Sequence, residues 1–119
     1  EILLGPAVFR KDGAYELMVL HSDNRLVKYG LDGKKDPAWN DIKPSETIVS
    51  LPEKLVSGAS SCWIVRTSRQ TLIYPENGGE ALSKFTGNAV LRSDAKVTDE
   101  DNGVVSAQSY DGKLRKIKI

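Results

Sequence analysis

The one histidine and the one cysteine of this chain are its clearest candidates for catalysis, and their spacing does not pair them. Cys62 lies in an apolar run, 61–65, where an unbridged cysteine usually behaves as a small buried apolar group. His21 lies two residues before Asp23 at a predicted hairpin turn. An imidazole beside a carboxylate can act as a base, as in a hydrolase, but at a turn the pair is ordinarily solvated. We therefore predict no enzyme activity.

Trp39, Asn40 and Asp41 are the best candidate binding residues of the sequence. They follow a turn that contains Pro37. An exposed aromatic ring beside an amide and a carboxylate suits a ligand rich in hydroxyl groups, such as a glycan. Trp39 has a second interpretation, as a cover for the edge of a sheet, whereas Trp63 lies in the middle of an apolar run and is predicted to be core.

The acidic segment 94–103 is the only part of the sequence that resembles a metal site. Asp99, Asp101 and Gly103 fit the beginning of a calcium loop, but no glutamate follows at the closing position. We predict a solvated acidic turn. One histidine and one cysteine also do not supply a zinc site within one chain. The sequence therefore predicts no metal and no cofactor.

Composition limits the partners of the chain. Its 119 residues correspond to a single domain, and 17 basic against 16 acidic residues give a net charge of +1, too small for a strong field towards nucleic acid. No apolar run approaches the roughly 20 residues that cross a bilayer, so no membrane insertion is expected. The basic residues of 113–118 are interpreted as guards of a sheet edge.

Strand signals dominate the chain and predict an all-β fold. Short β-branched or aromatic runs alternate with turns that contain glycine, asparagine or aspartate. The runs are 17–20, 26–29, 47–49, 63–66, 71–74, 89–91, 104–105 and 114–119. Only 51–56 suggests helix, for one turn at most. The apolar residues of the last run do not share one parity, which predicts a bulge near Arg115.

The sequence repeats. Residues 17–34 align without a gap on 63–80, a shift of 46 positions that places Val19 on Val65. A fainter third copy places Leu26 on Leu114. Each copy contains two apolar strands around a polar turn, so we expect three units, approximately 1–34, 35–80 and 81–119, in one domain that is a piece of a larger protein. About 40 to 46 residues is the size of a four-stranded propeller blade.

The run 26–34, Leu-Val-Lys-Tyr-Gly-Leu-Asp-Gly-Lys, followed by Trp39 and later by Trp63–Arg66, resembles β-propeller repeats of the PQQ-like and WD-like kind. More narrowly, it is similar to propeller repeats in large uncharacterised bacterial surface or periplasmic proteins. The resemblance implies three propeller-like, four-stranded blades and an extracytoplasmic location. Pro75 departs from the pattern at the position equivalent to Tyr29, and the contact motif for the PQQ cofactor is missing, so no cofactor is implied.

A second resemblance leaves a β-trefoil or β-prism open. Monocot lectins of the β-prism type carry the spacing Gln-x-Asp-x-Asn-x-Val-x-Tyr. Residues 21–29 match it at Asp23, Val27 and Tyr29, and residues 67–75 do not. This resemblance implies a carbohydrate-binding, lectin-like domain.

These observations together favour a non-catalytic recognition or scaffolding module whose partner is a protein or a glycan. Three blades would leave two faces uncovered, and a homodimer of six blades is the simplest closed assembly. A trefoil closes by itself and predicts a monomer.

Overall fold

The computed structural model of the chain describes residues 1–92, 98–101 and 103–119, and it confirms the all-β prediction. The described secondary structure is ten strands and one short 3-10 helix, Gly87–Ala89. The strands are β1 (Ile2–Lys11), β2 (Ala14–His21), β3 (Arg25–Tyr29), β4 (Glu53–Ser57), β5 (Ser60–Arg66), β6 (Gln70–Pro75), β7 (Ser83–Thr86), β8 (Thr98–Asp101), β9 (Val104–Gln108) and β10 (Leu114–Lys118).

The strands form three antiparallel sheets in chain order. Sheet 1 has the order β1-β2-β3, sheet 2 the order β4-β5-β6-β7, and sheet 3 the order β10-β9-β8. Isolated bridges lie beside all three sheets, from Leu26 to Ile42 at sheet 1, from Ile48 to Thr67 at sheet 2 and from Leu91 to Ser109 at sheet 3. In the described part of the chain, therefore, only sheet 2 has the four strands expected of each unit, and none of the sheets closes on itself.

Sheet 2 is the middle layer, because it contributes residues to two separate hydrophobic cores, one on each of its faces. Neighbouring residues of β5 point to opposite faces, as strand geometry requires. Trp63 and Val65 belong to a first core shared with sheet 1, whereas Cys62 and Ile64 belong to a second core shared with sheet 3. Burial on both faces explains the continuous apolar run of β5.

The two cores differ in the size of their side chains. The first core contains both tryptophans, and Phe9 packs edge-on against Trp63 with ring centroids 4.9 Å apart. The second core is smaller and mainly aliphatic, and Ile117 is completely buried in it. Its described members are Leu55, Cys62, Ile64, Ile73, Leu91, Val105, Ala107 and Ile117, with Phe85 and Ile119 partly buried beside them.

The sequence repeat corresponds to a structural one. The hairpins β2–β3, β5–β6 and β9–β10 have the same place in their sheets. Ile2 pairs with His21 in sheet 1, and the residues 46 positions later, Ile48 and Thr67, form an isolated bridge at sheet 2. The repeated apolar pattern therefore marks equivalent hairpins.

Several local predictions were wrong. Residues 53–57, which overlap the segment 51–56 that suggested a helical turn, form strand β4. The register of β10 on β9 is uninterrupted, so there is no bulge at Arg115 (Leu114 simply lies on the exposed face). Within the acidic segment, residues 98–101 form β8 and not a turn, while residues 94–97 and 102 lie outside the described residues.

Candidate functional site

The structure places Trp39 inside the protein. Its side chain is only 4% exposed and belongs to the first core. Its indole N–H donates a hydrogen bond to the carbonyl of Leu26 at 3.1 Å. The ring therefore covers the end of sheet 1, which is the second of the two interpretations, and it has no open face for a ligand to stack on.

Asn40 lies at a close contact between two loops. Its backbone N–H donates to the carbonyl of Asn77 at 2.8 Å, and its carbonyl accepts from Gly79 at 3.0 Å. Gly78 has a φ of +77°, and a Cβ placed there would lie 2.0 Å from the Asn40 carbonyl oxygen. Only glycine permits this approach. The side chain of Asn40 remains exposed.

Asp41 is held by two basic side chains. Arg25 Nη1 and Lys35 Nζ each lie 3.0 Å from a carboxylate oxygen of Asp41. Burial acts to raise the pKa of Asp41, but hydrogen bonds from Lys35 and Arg25 outweigh it, and the pKa is lowered. Arg25 also contacts Asp23 at 3.0 Å. Binding by Trp39, Asn40 and Asp41 stays a prediction, and Asn40 is the member that presents its side chain to solvent.

A buried charged cluster, missed by the sequence analysis, lies beside Trp39. Lys28 is 1% exposed, and its ammonium contacts Glu16 at 3.1 Å and Asp36 at 3.6 Å. The other carboxylate oxygen of Glu16 contacts Lys54 of sheet 2 at 3.0 Å. We call Glu16, Lys28, Asp36 and Lys54 the buried charge cluster; it joins sheet 1 to sheet 2.

Aromatic rings complete the surroundings of the two lysines. Lys28 Nζ lies 5.4 Å from the centroid of the Trp39 ring, and Lys54 Nζ lies 5.5 Å from that of Trp63. Such cation–π contacts partly replace the hydration that a buried ammonium loses. One signal was present in the sequence: a lysine inside the apolar run 26–29 requires a buried partner.

Three members of the buried charge cluster, Glu16, Lys28 and Asp36, line an open groove of about 470 Å³. We call this the Lys28 groove. Its walls carry two tyrosines and further charged side chains of both signs, and Tyr15 is 44% exposed. The described lining residues are Tyr15, Glu16, Lys28, Tyr29, Gly30, Asp32, Lys34, Lys35, Asp36 and Pro37. Chemically, the groove offers hydrogen-bond donors, acceptors and aromatic surface to a polar ligand.

His21, Asp23 and Cys62 are not brought together. His21 Nε2 is hydrogen-bonded to the hydroxyl of Tyr29 at 2.9 Å, while Asp23 contacts Arg25. Cys62 is completely buried in the second core, as predicted, and burial raises the pKa of its thiol to about 12. A thiol with that pKa is a poor nucleophile at neutral pH.

The turn before β10 contains a second charged cluster. Asp111 accepts hydrogen bonds from the hydroxyl of Ser109, from the backbone N–H of Lys113 and from Arg115. The Ser109 hydroxyl contributes most, and together these donors lower the pKa of Asp111 to about 2. Strand β10 lies at an edge of sheet 3, as the basic pattern predicted.

Within the described residues, no group of three or more histidine, cysteine or acidic side chains is arranged to hold a metal ion. None of the helices in residues 1–92, 98–101 and 103–119 is long and apolar enough to cross a membrane. Comparison with known protein families, with curated proteins and with solved structures finds no match to the chain.

Proposed function

We propose that this chain is a non-catalytic recognition or scaffolding module built from three propeller-like repeats. One observation carries the proposal: in sheets 2 and 3, residues at equivalent positions of the second strand pack against the sheet that precedes theirs in the chain. Trp63 and Val65 of sheet 2 face sheet 1, and the corresponding Val105 and Ala107 of sheet 3 face sheet 2. A constant stacking direction is the arrangement expected of propeller blades, and blades are typical platforms for recognition.

The first strands of the sheets supply a second argument. Strand β4 contacts β8, and Ser57 at the end of β4 accepts a hydrogen bond from the backbone of Gly103 at 2.9 Å. In a propeller, the first strand of each blade lies nearest to the central axis, so neighbouring first strands approach each other. This proximity favours a propeller-like arrangement over a trefoil or a prism.

A non-catalytic role is favoured by the pairing of the ionisable side chains. Glu16 holds two lysines, and Asp41 holds Arg25 and Lys35. A general acid or base must exchange a proton with substrate, and charge pairs of this kind oppose such exchange. The Lys28 groove is then a surface for contact, and we propose that it binds a polar segment of a protein partner.

A glycan is the alternative ligand of the same groove. Tyr15 and Tyr29 line the groove together with Asp32 and Asp36, and aromatic rings beside carboxylates suit sugar rings and their hydroxyl groups. This alternative keeps the carbohydrate binding of a lectin but assigns it to propeller-like repeats and not to a β-trefoil or β-prism. It also moves the binding role from Trp39 to the tyrosines.

The test of the function is a pair of matched tyrosine variants. Tyr15→Ala removes an exposed ring from the Lys28 groove, and Tyr110→Ala removes an exposed ring that does not line it. A photo-crosslinking residue at 15, with one at 110 as the control, is used to find protein neighbours in extracts, and a glycan array is used to find sugars. A protein that crosslinks at 15 and binds the Tyr110→Ala but not the Tyr15→Ala variant supports the main proposal.

Two results would contradict the proposal. A glycan that binds the wild type and loses affinity for Tyr15→Ala establishes the lectin alternative. A ligand that the protein converts chemically, with activity lost in His21→Ala, establishes an enzyme. The extracytoplasmic location, proposed from the family resemblance alone, is tested by fractionation of the parent protein, and recovery in the cytoplasm would refute it.

A further inference from the structure

An open hollow of about 370 Å³ lies where the hairpin turn of sheet 2 meets sheet 3. The turn between β5 and β6, the segment between the two sheets and the turn before β10 all contribute to it. Its described lining residues are Thr67, Ser68, Arg69, Gln70, Gly87, Val90 and Tyr110. We call it the Tyr110 hollow. None of these residues lines the Lys28 groove, so the two sites are separate.

A side chain closes the corresponding junction between sheets 1 and 2. Asn24 lies in the hairpin turn of sheet 1, and its amide nitrogen donates to the carbonyls of Pro44 at 3.2 Å and Glu46 at 2.8 Å. Its amide oxygen accepts from the backbone N–H of Ile48 at 2.7 Å. The hairpin turn is therefore bonded directly to the segment that leads to the next sheet.

The two junctions are structurally equivalent. At the first, Ile48 forms an isolated bridge with Thr67, and at the second, Leu91 forms one with Ser109. Each bridge joins the segment between two sheets to the residue that follows the second strand of the next sheet. The hairpin turns of sheets 1 and 2 therefore face equivalent segments, 44–48 and 87–91.

The side chain at the position of Asn24 behaves differently in sheet 2. The gap-free repeat places Gln70 there. The backbone N–H of Leu91, which corresponds to that of Ile48, donates to the hydroxyl of Thr71 at 3.3 Å. Among the described residues, the side-chain amide of Gln70 has no hydrogen-bond partner. The second junction thus keeps an open hollow and an amide group available to a ligand.

Arg69 and Tyr110 give the hollow its charge and its aromatic surface. Arg69 is 86% exposed and is the one charged side chain among the described lining residues. Its contact with Glu46 is long, 3.7 Å from Nε, and Glu46 also accepts a hydrogen bond from Thr67. Tyr110 is 61% exposed, and Val90 adds apolar surface beside it. The hollow therefore suits a ligand that is both anionic and flat.

We propose that the Tyr110 hollow binds an aromatic carboxylate. The planar guanidinium of Arg69 can donate two parallel hydrogen bonds to a carboxylate, and the ring of the ligand can stack on Tyr110. The amide of Gln70 supplies a further hydrogen bond. A hollow of this volume lies within the range of small-ligand pockets. This binding goes beyond the recognition proposed for the Lys28 groove and does not depend on it.

The experiment is a titration of the nitrogen-15-labelled chain with phenylacetate, followed by the amide signals in NMR spectra. Two control ligands separate the contributions: acetate lacks the ring, and phenylacetamide keeps the shape but lacks the charge. We expect phenylacetate to shift signals of residues 67–70, 87–90 and 110 with a Kd of about 1 mM. Both control ligands should bind at least about tenfold more weakly.

A fourth ligand distinguishes the two sources of such a carboxylate. N-acetylglycylphenylalanine presents the ring and the carboxylate as they occur at the end of a peptide chain. Tighter binding of this dipeptide than of phenylacetate identifies a peptide terminus as the source, and weaker binding identifies a free small molecule. Both results support recognition of an aromatic carboxylate.

Variants assign the binding to the hollow. Arg69→Gln and Tyr110→Ala should each weaken phenylacetate binding about tenfold. Arg10→Gln and Tyr15→Ala are matched controls, because these exposed residues contact each other, with Arg10 Cζ 5.5 Å from the ring centroid, and lie outside the hollow. The remaining amide signals verify that each variant is folded.

Three results would overturn the proposal. The first is a titration in which phenylacetate produces no saturable shifts at residues 67–70, 87–90 and 110. The second is phenylacetamide or acetate binding as tightly as phenylacetate, because the carboxylate or the ring is then not recognised. The third is an equal loss of affinity in the control variants, which would show that the binding does not take place in the Tyr110 hollow.

Discussion

At the scale of single residues, Glu16 is the carboxylate that two poorly exposed lysines share. Its two carboxylate oxygens contact Lys28 and Lys54, whose side chains are only 2% and 11% exposed. Glu16→Gln keeps the size of the side chain, removes the carboxylate from Lys54, and leaves Lys28 with Asp36 at 3.6 Å as its anion. We predict that urea denaturation of this variant will show a loss of about 3 kcal/mol in the free energy of unfolding.

A matched control uses the same substitution at the surface. Glu53 contacts Arg66 at 2.7 Å, but its side chain is 49% exposed. Glu53→Gln should therefore cost less than about 1 kcal/mol, since water screens an exposed pair. Equal losses in the two variants would show that the buried charge cluster does not stabilise the contact between sheets 1 and 2.

The second prediction concerns the thiol of Cys62. It is buried between sheets 2 and 3, and burial raises its pKa to about 12. A disulfide reagent that titrates thiols should therefore react very slowly with the native protein at mildly alkaline pH. The reaction should become fast at the urea concentration where the protein unfolds. Fast reaction in the absence of denaturant would show that the second core opens readily.

The third prediction concerns acid stability. Asp111 titrates near its usual value of 3.8 in the unfolded chain and at about 2 in the folded protein. Its contribution is therefore complete above about pH 4 and is lost as the pH falls towards 2. Asp111→Asn should make the unfolding free energy less dependent on pH in this window, as measured by urea titrations at several pH values. An unchanged pH dependence would refute the assigned pKa.

Sequence reasoning at this scale succeeded where the local sequence determined the environment. Trp63 and Cys62 lie inside an apolar run and are buried, as predicted. The environment of Lys28 depends instead on Glu16 of β2 and Lys54 of β4. Such pairing depends on strand register and sheet stacking, which a single sequence does not specify, so the buried charge cluster was found only in the structure.

At the scale of elements, the loop at Asn40 and the loop at Gly78 make the contact that leaves least space for a side chain at a glycine position among the described residues. Gly78→Ala would place a methyl group 2.0 Å from the carbonyl oxygen of Asn40. Gly33 is the matched control, because its φ of +78° is nearly the same and nothing lies within 4 Å of the added carbon. Thermal or urea unfolding should show a loss of about 1 kcal/mol for Gly33→Ala, from backbone strain alone.

The same substitution at Gly78 adds a steric clash to that strain. We predict a total loss of about 3 kcal/mol for Gly78→Ala, because a loop must move away from its partner. If the two alanine variants are equally stable, the loops do not form this contact in solution.

The sequence predicted elements with unequal success, for a physical reason. The hairpins that become β2–β3 and β5–β6 combine apolar β-branched residues with turn residues, and both were identified. Strand β4 was missed because Pro52 and two charged residues obscure its alternation, and β7 was missed because Ser83–Thr86 is mostly polar. Edge strands such as β7 obtain their pairing from a neighbour and need little apolar character of their own.

At the scale of the whole molecule, the central claim is that sheet 2 lies between sheets 1 and 3, with successive residues of β5 in different cores. The repeat in the sequence predicted three equivalent units in an all-β fold. It did not establish how they associate, because a propeller, a trefoil and a prism all bury the same apolar hairpins. The direction of stacking came from the residues that share each core.

The most direct test is a nuclear Overhauser spectrum of the protein with labelled methyl groups. Val65 methyls should show contacts to Leu20 and Leu26 of sheet 1, which share the first core. Ile64 methyls should show contacts to Val105 and Ile117 of sheet 3, which share the second core. Contacts from both residues to the same sheet, or none from Ile64 to sheet 3, would contradict the stacked arrangement.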